Sequence, residues 1–470
     1  LYDRGGPSQI VEDRNHGGHV VRQLTADGLI RHAHTVSRPM RWTKDGEFLP
    51  VALPKSMATM YLDWYGAWNL PTLSGIGSTP LLRDDGSVQI KSGYDKFTGI
   101  FLEDVPDITA QLPETPTRAD AEEALRTLRS PFATFCFADA KVIAAGDDDG
   151  LRVDLDRPPG RDESAFLTAL MTAICRPSLD LAPAVLIRAP LLSGAGSGKG
   201  LLGRCMCALG FGRDPHAVTA GENHQEFEKR IAAELLAGGP TVFLDNLNNM
   251  TVRSSQLASA ITERPARIRV LGKSAMLPVN ATALIIVTGN GVTLSEDLVR
   301  RFITIELDAR TEHPESRQFN TNPLQFIRDN RAALLAAALT VWRWGRQQSQ
   351  LNPGRALGSF DQWCSWVRDP LLALGCQDVV ERINDAKMDD DDRQELFEIF
   401  TAWWQRHGAD PVRASEVDSA IQSMLDPQKR GRQFVAARLG KLASTRLGGF
   451  VLTKQTSPGA WGVATYALMK

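Results

Sequence analysis

The chain has 470 residues, 43% hydrophobic and 23% charged, with 53 Lys and Arg against 55 Asp and Glu for a net charge of −2. That length exceeds what one hydrophobic core serves and predicts about three domains; the composition is that of a folded globular protein and excludes a disordered or fibrous one. With bulk charge near zero, any nucleic-acid contact must come from local patches.

No run of 18 apolar residues occurs, so no membrane span is expected. The opening LYDRGGPSQI has no basic segment leading into an apolar one, so this stretch is not expected to be a secretory signal. It also lacks an initiator Met, as a chain whose upstream part is absent would. Six cysteines (Cys136, Cys175, Cys205, Cys207, Cys364 and Cys376) form no C-x-x-C pair, and the eight His do not cluster. Reduced thiols in a cytoplasmic protein are expected, with neither a zinc site nor a disulfide framework.

Residues 1–130 read as a mixed α+β accessory domain. His32 and His34 fall on one face of a possible strand, and Tyr61, Trp42, Trp64 and Trp68 are expected in a core. GSTPLLRDDGSVQIKSGYDKFTGIFL (77–102) reads as short strands punctuated by Asp85-Gly86 and Gly93. Pro-rich VPDITAQLPETPTRAD (105–120) predicts an extended lead into a helix over 118–130.

Residues 131–345 alternate buried strands with amphipathic helices. AVLIRA (184–189), TVFLD (241–245) and ALIIVTG (283–289) are strand-like. The segments beginning GKGLLGRCMCAL (198–209), EFEKRIAAELLAG (226–238) and SSQLASAITE (254–263) are helix-like. The order predicts an α/β fold, a parallel sheet with helices on both faces.

SGAGSGKGLL (193–202) stands between the first of these strands and a helix, where a phosphate cradle belongs. Gly194, Ala195, Gly196, Ser197, Gly198, Lys199 and Gly200 form the loop. Its backbone N–H groups and the following helix N-terminus favour an anion, and Lys199 can reach outer phosphates. Asp245 ends a later strand, at the edge where open parallel sheets bind ligands, and is a candidate Mg²⁺ holder. Asn290, in VTGN (287–290), can touch a γ-phosphate or orient water. DLVRRFITIEL (297–307) places Arg300 and Arg301 between a short helix and a strand.

The order SGAGSGKG, VFLDN, VTGN, LVRRF resembles superfamily 3 helicases within the AAA+ class, and looks similar to the helicase halves of virus-type and mobile-element primase-helicases. The resemblance covers roughly 130–345. It implies a P-loop core, ATP and Mg²⁺ as cofactors, and a ring, usually a hexamer, that moves along single-stranded DNA. It also implies that Arg301, with Arg300 second, stabilises charge at the next subunit's nucleotide. Two positions depart from the pattern. Gly200 stands where a magnesium-binding hydroxyl is usual, and Asn246 stands where a glutamate base is usual. Glu222 is an acid without an assigned place. Within 267–280, RIRVL and AMLPV read as a β-hairpin around Gly272-Lys273-Ser274. The resemblance makes Lys273 the phosphate-gripping tip.

Residues 346–470 are expected to be helical, with a solvated acidic run at 389–392, ending in a winged helix. Seven cations (Lys429, Arg430, Arg432, Arg438, Lys441, Arg446 and Lys454) and no acid occupy 428–454. QFVAARLGKLAST carries Phe434, Val435, Leu439 and Leu442 at core spacing, and GGFVLTK and WGVATYALMK read as two strands. A basic helix before a ribbon suits a DNA groove, with Arg432, Arg438 and Lys441 as contacts. The expected function is a ring-forming, ATP-dependent DNA helicase for a plasmid, phage or integrative element of a bacterial host. It would act on single-stranded and forked DNA, with a primase or replication protein as partner. The alternative is a non-translocating AAA+ initiator or defence ATPase. A kinase-like P-loop enzyme is a weaker third, since no acceptor site can be named.

Overall fold

Each apolar run flanked by Gly, Pro or Asp in the middle of the chain becomes a strand of one sheet. The computed structural model describes residues 1–470 except 14–16, 65, 145–150, 193, 222, 270–275, 318, 320, 389–390 and 457–463; side chains are not described at 384–388, 391–393 and 456. Ser193, Glu222, the hairpin tip with Lys273, and the acidic run's side chains therefore lie outside the described residues or atoms.

The sheet comprises β1 (Ala184–Ala189), β2 (Ala217–Val218), β3 (Thr241–Leu244), β4 (Leu284–Asn290) and β5 (Phe302–Glu306). All neighbours are parallel, in the order β2-β3-β4-β1-β5. Five of the six β1 residues are buried, as a strand shielded on both faces must be. β1 thus lies between β4 and β5, and central β4 separates it from β3.

Helices α1 (Arg118–Arg129), α2 (Arg161–Cys175), α3 (Lys199–Phe211), α4 (His224–Ala237), α5 (Ser255–Thr262) and α6 (Arg331–Gln347) follow in chain order. Local chemistry starts them. Thr117 and Asp120 close a capping box on α1, Asn223 caps α4 and Ser254 caps α5; such caps are worth about 1 kcal/mol each. α3 packs on β1 and β4, α2 on β5, α4 on β3, and α1 along α6. That last packing ties the N-terminal third into the same body as the sheet.

The chain divides into two compact units, Leu1–Ile383 and Asn384–Lys470. In the second, helices Asp391–His407, Ser419–Leu425 and Arg432–Leu442 accompany a four-stranded antiparallel sheet. Its order is Val412–Arg413, Ala464–Met469, Phe450–Thr456, Arg446–Leu447. Phe400, Trp403, Ile421, Leu425, Val435, Leu439, Leu452 and Leu468 form its core.

Two N-terminal expectations are corrected. His32 and His34 belong to a helix, Ala26–Val36, capped by Thr25. Residues two apart on a helix do not share a face, and His34 Nε2 instead accepts from Leu53 N at 3.3 Å. Trp42 and Trp64 are not core residues: they are 60% and 61% exposed, whereas Trp68 is buried. Periodicity identifies an apolar side chain but cannot tell whether the chain that carries it turns back onto the body.

Candidate nucleotide site and basic surfaces

The loop between β1 and α3 has the backbone that a phosphate cradle requires. Gly196 (φ +75) and Gly198 (φ +92) are left-handed, a region that side chains avoid. At Gly194 a Cβ would overlap the Pro190 carbonyl oxygen and lie 2.8 Å from Asn290 Oδ1. Lys199, first residue of α3, is buried, and Nζ donates to Gly194 O (2.7 Å) and Ser197 Oγ (3.2 Å). Burial lowers its pKa from the usual value, opposed by Cys136 and Asp245. The ammonium is thus held inside the loop by its own carbonyl.

Asp245 follows β3, and Thr288 Oγ1 of β4 donates to its Oδ1 at 2.5 Å. Arg204 of α3 lies 3.9 Å from its Oδ2. A Cβ built on Gly200 would sit 3.5 and 3.7 Å from the two Asp245 oxygens. The position lacking a hydroxyl and the acid expected to hold the metal are therefore immediate neighbours. Asn246 has φ +60 and donates its backbone N–H to Thr288 Oγ1 at 3.3 Å. Asn tolerates that conformation better than Glu does, which is a local reason for the departure.

Strand order brings Asn290 between these parts. Its backbone N–H donates to Asn248 Oδ1 and its carbonyl accepts from Asn249 N, both at 2.8 Å. Its side-chain Oδ1 is buried without a partner beside Gly194. A buried amide left unpaired costs about 1–3 kcal/mol and asks for a ligand or a water.

Arg300 and Arg301 lie elsewhere. Both pair with Asp297, at 3.0 and 2.7 Å, and the Arg301 side chain is 13% exposed against 57% for Arg300. Ala184 N donates to Arg301 O, so the pair sits beside the start of β1 while the loop follows its end. Six residues of strand separate the two levels, roughly 20 Å. Neither arginine reaches its own chain's loop.

Sequence reasoning missed a cavity of about 380 Å³ beside the loop, lined in part by Phe135, Cys136, Phe137, Asp308, Arg310 and Arg317. Cys136 Sγ donates to Ser197 O at 3.4 Å, and a Cβ at Gly198 would touch the Phe135 ring at 3.3 Å. Burial raises the Cys136 pKa, and Arg317 opposes the rise. The segment that lines it, SPFATFCFAD (130–139), resembles in sequence the helicase family's approach to its loop, but nothing in it announces a cavity.

No family model and no curated protein matches this chain. The apo structure of the NrS-1 C-terminal region, residues 305–718, is similar over 98% of this chain and 96% of that chain, at 11% identity and a TM-score of 0.38. A likeness that low leaves the site's own geometry to carry the argument. No helix among the described residues is long and apolar enough to cross a membrane, and no metal-binding cluster of His, Cys, Asp and Glu occurs among them.

The second basic surface divides by role. Arg432 and Lys441 are exposed. Arg438 is half-buried, donating to Leu425 O (2.7 Å) and pairing with Glu395 (2.9 Å). Arg430 lies over the Phe434 ring, 4.5 Å from its centroid. In the first unit, strands Ala266–Arg269 and Met276–Val279 pair antiparallel, the stem of the expected hairpin.

Proposed function

We propose that this chain is an ATPase of the AAA+ P-loop type, assembled as a ring, probing and unwinding DNA for a plasmid, phage or integrative element. The observation that carries the reading is the placement of Asp245 against Gly200, the residue next to Lys199, with the unpaired Asn290 oxygen facing the same loop. An anion with a divalent cation suits that constellation. Lys199 would exchange the Gly194 carbonyl for phosphate oxygens, and backbone N–H groups from 195 to 200 would cradle them. Asp245, oriented by Thr288, would hold Mg²⁺ with phosphate oxygens and water completing the shell. The ion would supply charge neutralisation at the transferring phosphoryl group. Asn290, with its amide turned to present either end, would position water or a phosphate oxygen. The base would occupy the cavity beside Phe135 and Cys136. Arg301 would act on the neighbouring subunit's nucleotide, released from Asp297 on assembly. Lys273 would grip single-stranded DNA in the channel. The last helix and ribbon would act as a winged helix on duplex DNA through Arg432 and Lys441.

The test is ATP hydrolysis and fork unwinding by the parent and by Lys199→Ala. The parent should do both, and the variant should do neither while keeping its thermal midpoint. Hydrolysis by the variant at the parent rate would sink the loop assignment. Exposed, left-handed Asn246, which carries no acid, favours a second reading. In it the ring only switches between assembled and disassembled states; nucleotide-dependent assembly without unwinding would select it.

A further inference from the structure

Helices Ala26–Val36 and Lys55–Leu62 pack on one another around Leu29 and Ala58. Between them the chain leaves as a two-stranded hairpin, Met40–Trp42 with Phe48–Pro50. The register pairs Trp42 with Phe48, Met40 with Pro50, and Arg41 with Leu49. Alternation puts the first two pairs on one face and the third on the other. All six residues are exposed, Trp42 at 60% and Phe48 at 62%, and the strands pair only with each other. A hairpin with no covered face is not held by burial. Two large aromatic rings kept in water need a reason.

The flanking charge supplies one. From Gly28 to Pro50 the sequence has four cations (Arg31, Arg38, Arg41 and Lys44) and two His against two acids, Asp45 and Glu47 at the hairpin turn, in a chain of net charge −2. All four cations are exposed, and none of Arg38, Arg41 and Lys44 forms an ion pair among the described residues. Protein–protein contacts also take aromatic residues, Met and Arg, but their cores are depleted in Lys and in charge overall. Open aromatic rings beside exposed cations that outnumber the nearby acids and form no ion pair match a ligand that offers flat bases and phosphates together. The Trp42 and Phe48 rings meet edge-on, centroids 4.5 Å apart at 69°. In that geometry one ring meets the other by its edge, so neither of its faces is covered by its partner.

We propose that the hairpin over residues 40–50 is a docking surface for single-stranded nucleic acid. Bases stack on Trp42 and Phe48 while Arg38, Arg41 and Lys44 neutralise phosphates. Recognition is insensitive to sequence, because every base has a flat face. The surface stands apart from the nucleotide loop and does not rest on ATP hydrolysis.

The experiment is fluorescence anisotropy of a labelled oligo(dT) strand with the full chain, without nucleotide, over a range of salt. Trp42→Ala with Phe48→Ala should weaken binding by roughly fivefold to a hundredfold per stacked base lost. Trp42→Phe should restore most of it. Arg38→Ala, Arg41→Ala and Lys44→Ala together should flatten the slope of log K against log salt by about two. None of these changes should move the thermal midpoint or any basal ATPase, since none touches the core or the loop. Unchanged oligo(dT) affinity in the aromatic variant overturns the proposal. Loss of self-association by light scattering, with or without loss of DNA binding, also overturns it and assigns the face to a second copy of this chain. A parent that binds oligo(dT) here but hydrolyses no ATP supports the hairpin and removes the motor reading; a parent that hydrolyses ATP but binds no single strand does the reverse.

Discussion

Replacing Gly200 by Thr tests whether Mg²⁺ is held between this position and Asp245. Gly200 is the second residue of α3, and its φ is not among the left-handed ones, so a side chain is tolerated by the backbone. The new Cβ would meet only the Asp245 oxygens, at 3.5 and 3.7 Å, which is ordinary contact. Losing a helical glycine should raise stability by a few tenths of a kcal/mol. The hydroxyl would stand beside the carboxylate that Thr288 already orients. One added oxygen ligand is comparable to one hydrogen bond to a charged group, about 1.5 kcal/mol, which is about tenfold in Mg²⁺ half-saturation. Gly200→Val fills nearly the same space without the oxygen. The assay is Mg²⁺ titration of fluorescent-nucleotide binding, so that it does not depend on turnover. Thr should lower the Mg²⁺ midpoint about tenfold while Val leaves it unchanged. Equal behaviour of Thr and Val would refute the placement of the ion between Gly200 and Asp245.

The remaining predictions concern residues the structure has repositioned. Arg301→Ala should reduce ATPase on the order of 10³-fold in an assembled ring, and mixing it with Lys199→Ala subunits should recover part of the rate; mixtures as inactive as both parents would remove the shared site. Cys136 is the one cysteine of six that is not buried, so alkylation of the native chain should modify it first, and ATP with Mg²⁺ should slow the reaction if the base fills the adjoining cavity. Because burial raises its pKa, less thiolate than in a free cysteine exists at pH 8, and the rate should keep climbing past the ordinary cysteine pKa of about 8.5; a plateau below that pH would mean an activated thiolate. Arg438→Ala should lower the thermal midpoint of the second unit, by loss of its bonds to Leu425 O and Glu395, whereas Arg432→Ala and Lys441→Ala should weaken duplex binding with the midpoint unmoved; the reverse pattern would exchange their roles.

Four strands of the sheet were legible because they are apolar and bounded by turn residues, while the two-residue β2 was not, and α5 begins at its cap, Ser254. The loop was legible because glycine spacing reports backbone conformation directly. Partners of side chains were not. Nothing in LVRRF says that both arginines bind one carboxylate, or that Arg301 is largely covered and Arg300 open. Nothing in QFVAARLGKL says that Arg438 is spent on Leu425 and Glu395 while Lys441 faces water. Trp42 was misplaced for the same reason, since an aromatic on a projecting hairpin and one in a core have the same local sequence. Three-dimensional closure decides these cases, and the Phe135–Cys136 cavity exists only once the segment before α2 meets the one after β5.

Strand order also constrains how a DNA-gripping hairpin could reach the nucleotide. Val279 ends the stem and β4 begins at Leu284, so the direct path to Asn290 is a connection of four residues. That connection is fastened. Buried Arg176 donates to Ala281 O at 2.9 Å, and Thr282 Oγ1 donates to Ser74 O at 3.1 Å. Displacement of the hairpin along this path would break a charge-assisted bond inside the protein, at about 1.5–3 kcal/mol. The other strand of the stem, Ala266–Arg269, packs on α5 and α4, and α4 leads through a short turn into β3 and Asp245. This helix is fastened too, since the buried Arg4 guanidinium donates to Leu235 O of α4 at 3.2 Å. Both paths from the stem are thus held by a buried guanidinium, Arg176 on the one to Asn290 and Arg4 on the one to Asp245, and Asn290 is in turn pinned to Asn248 and Asn249 of the turn after β3.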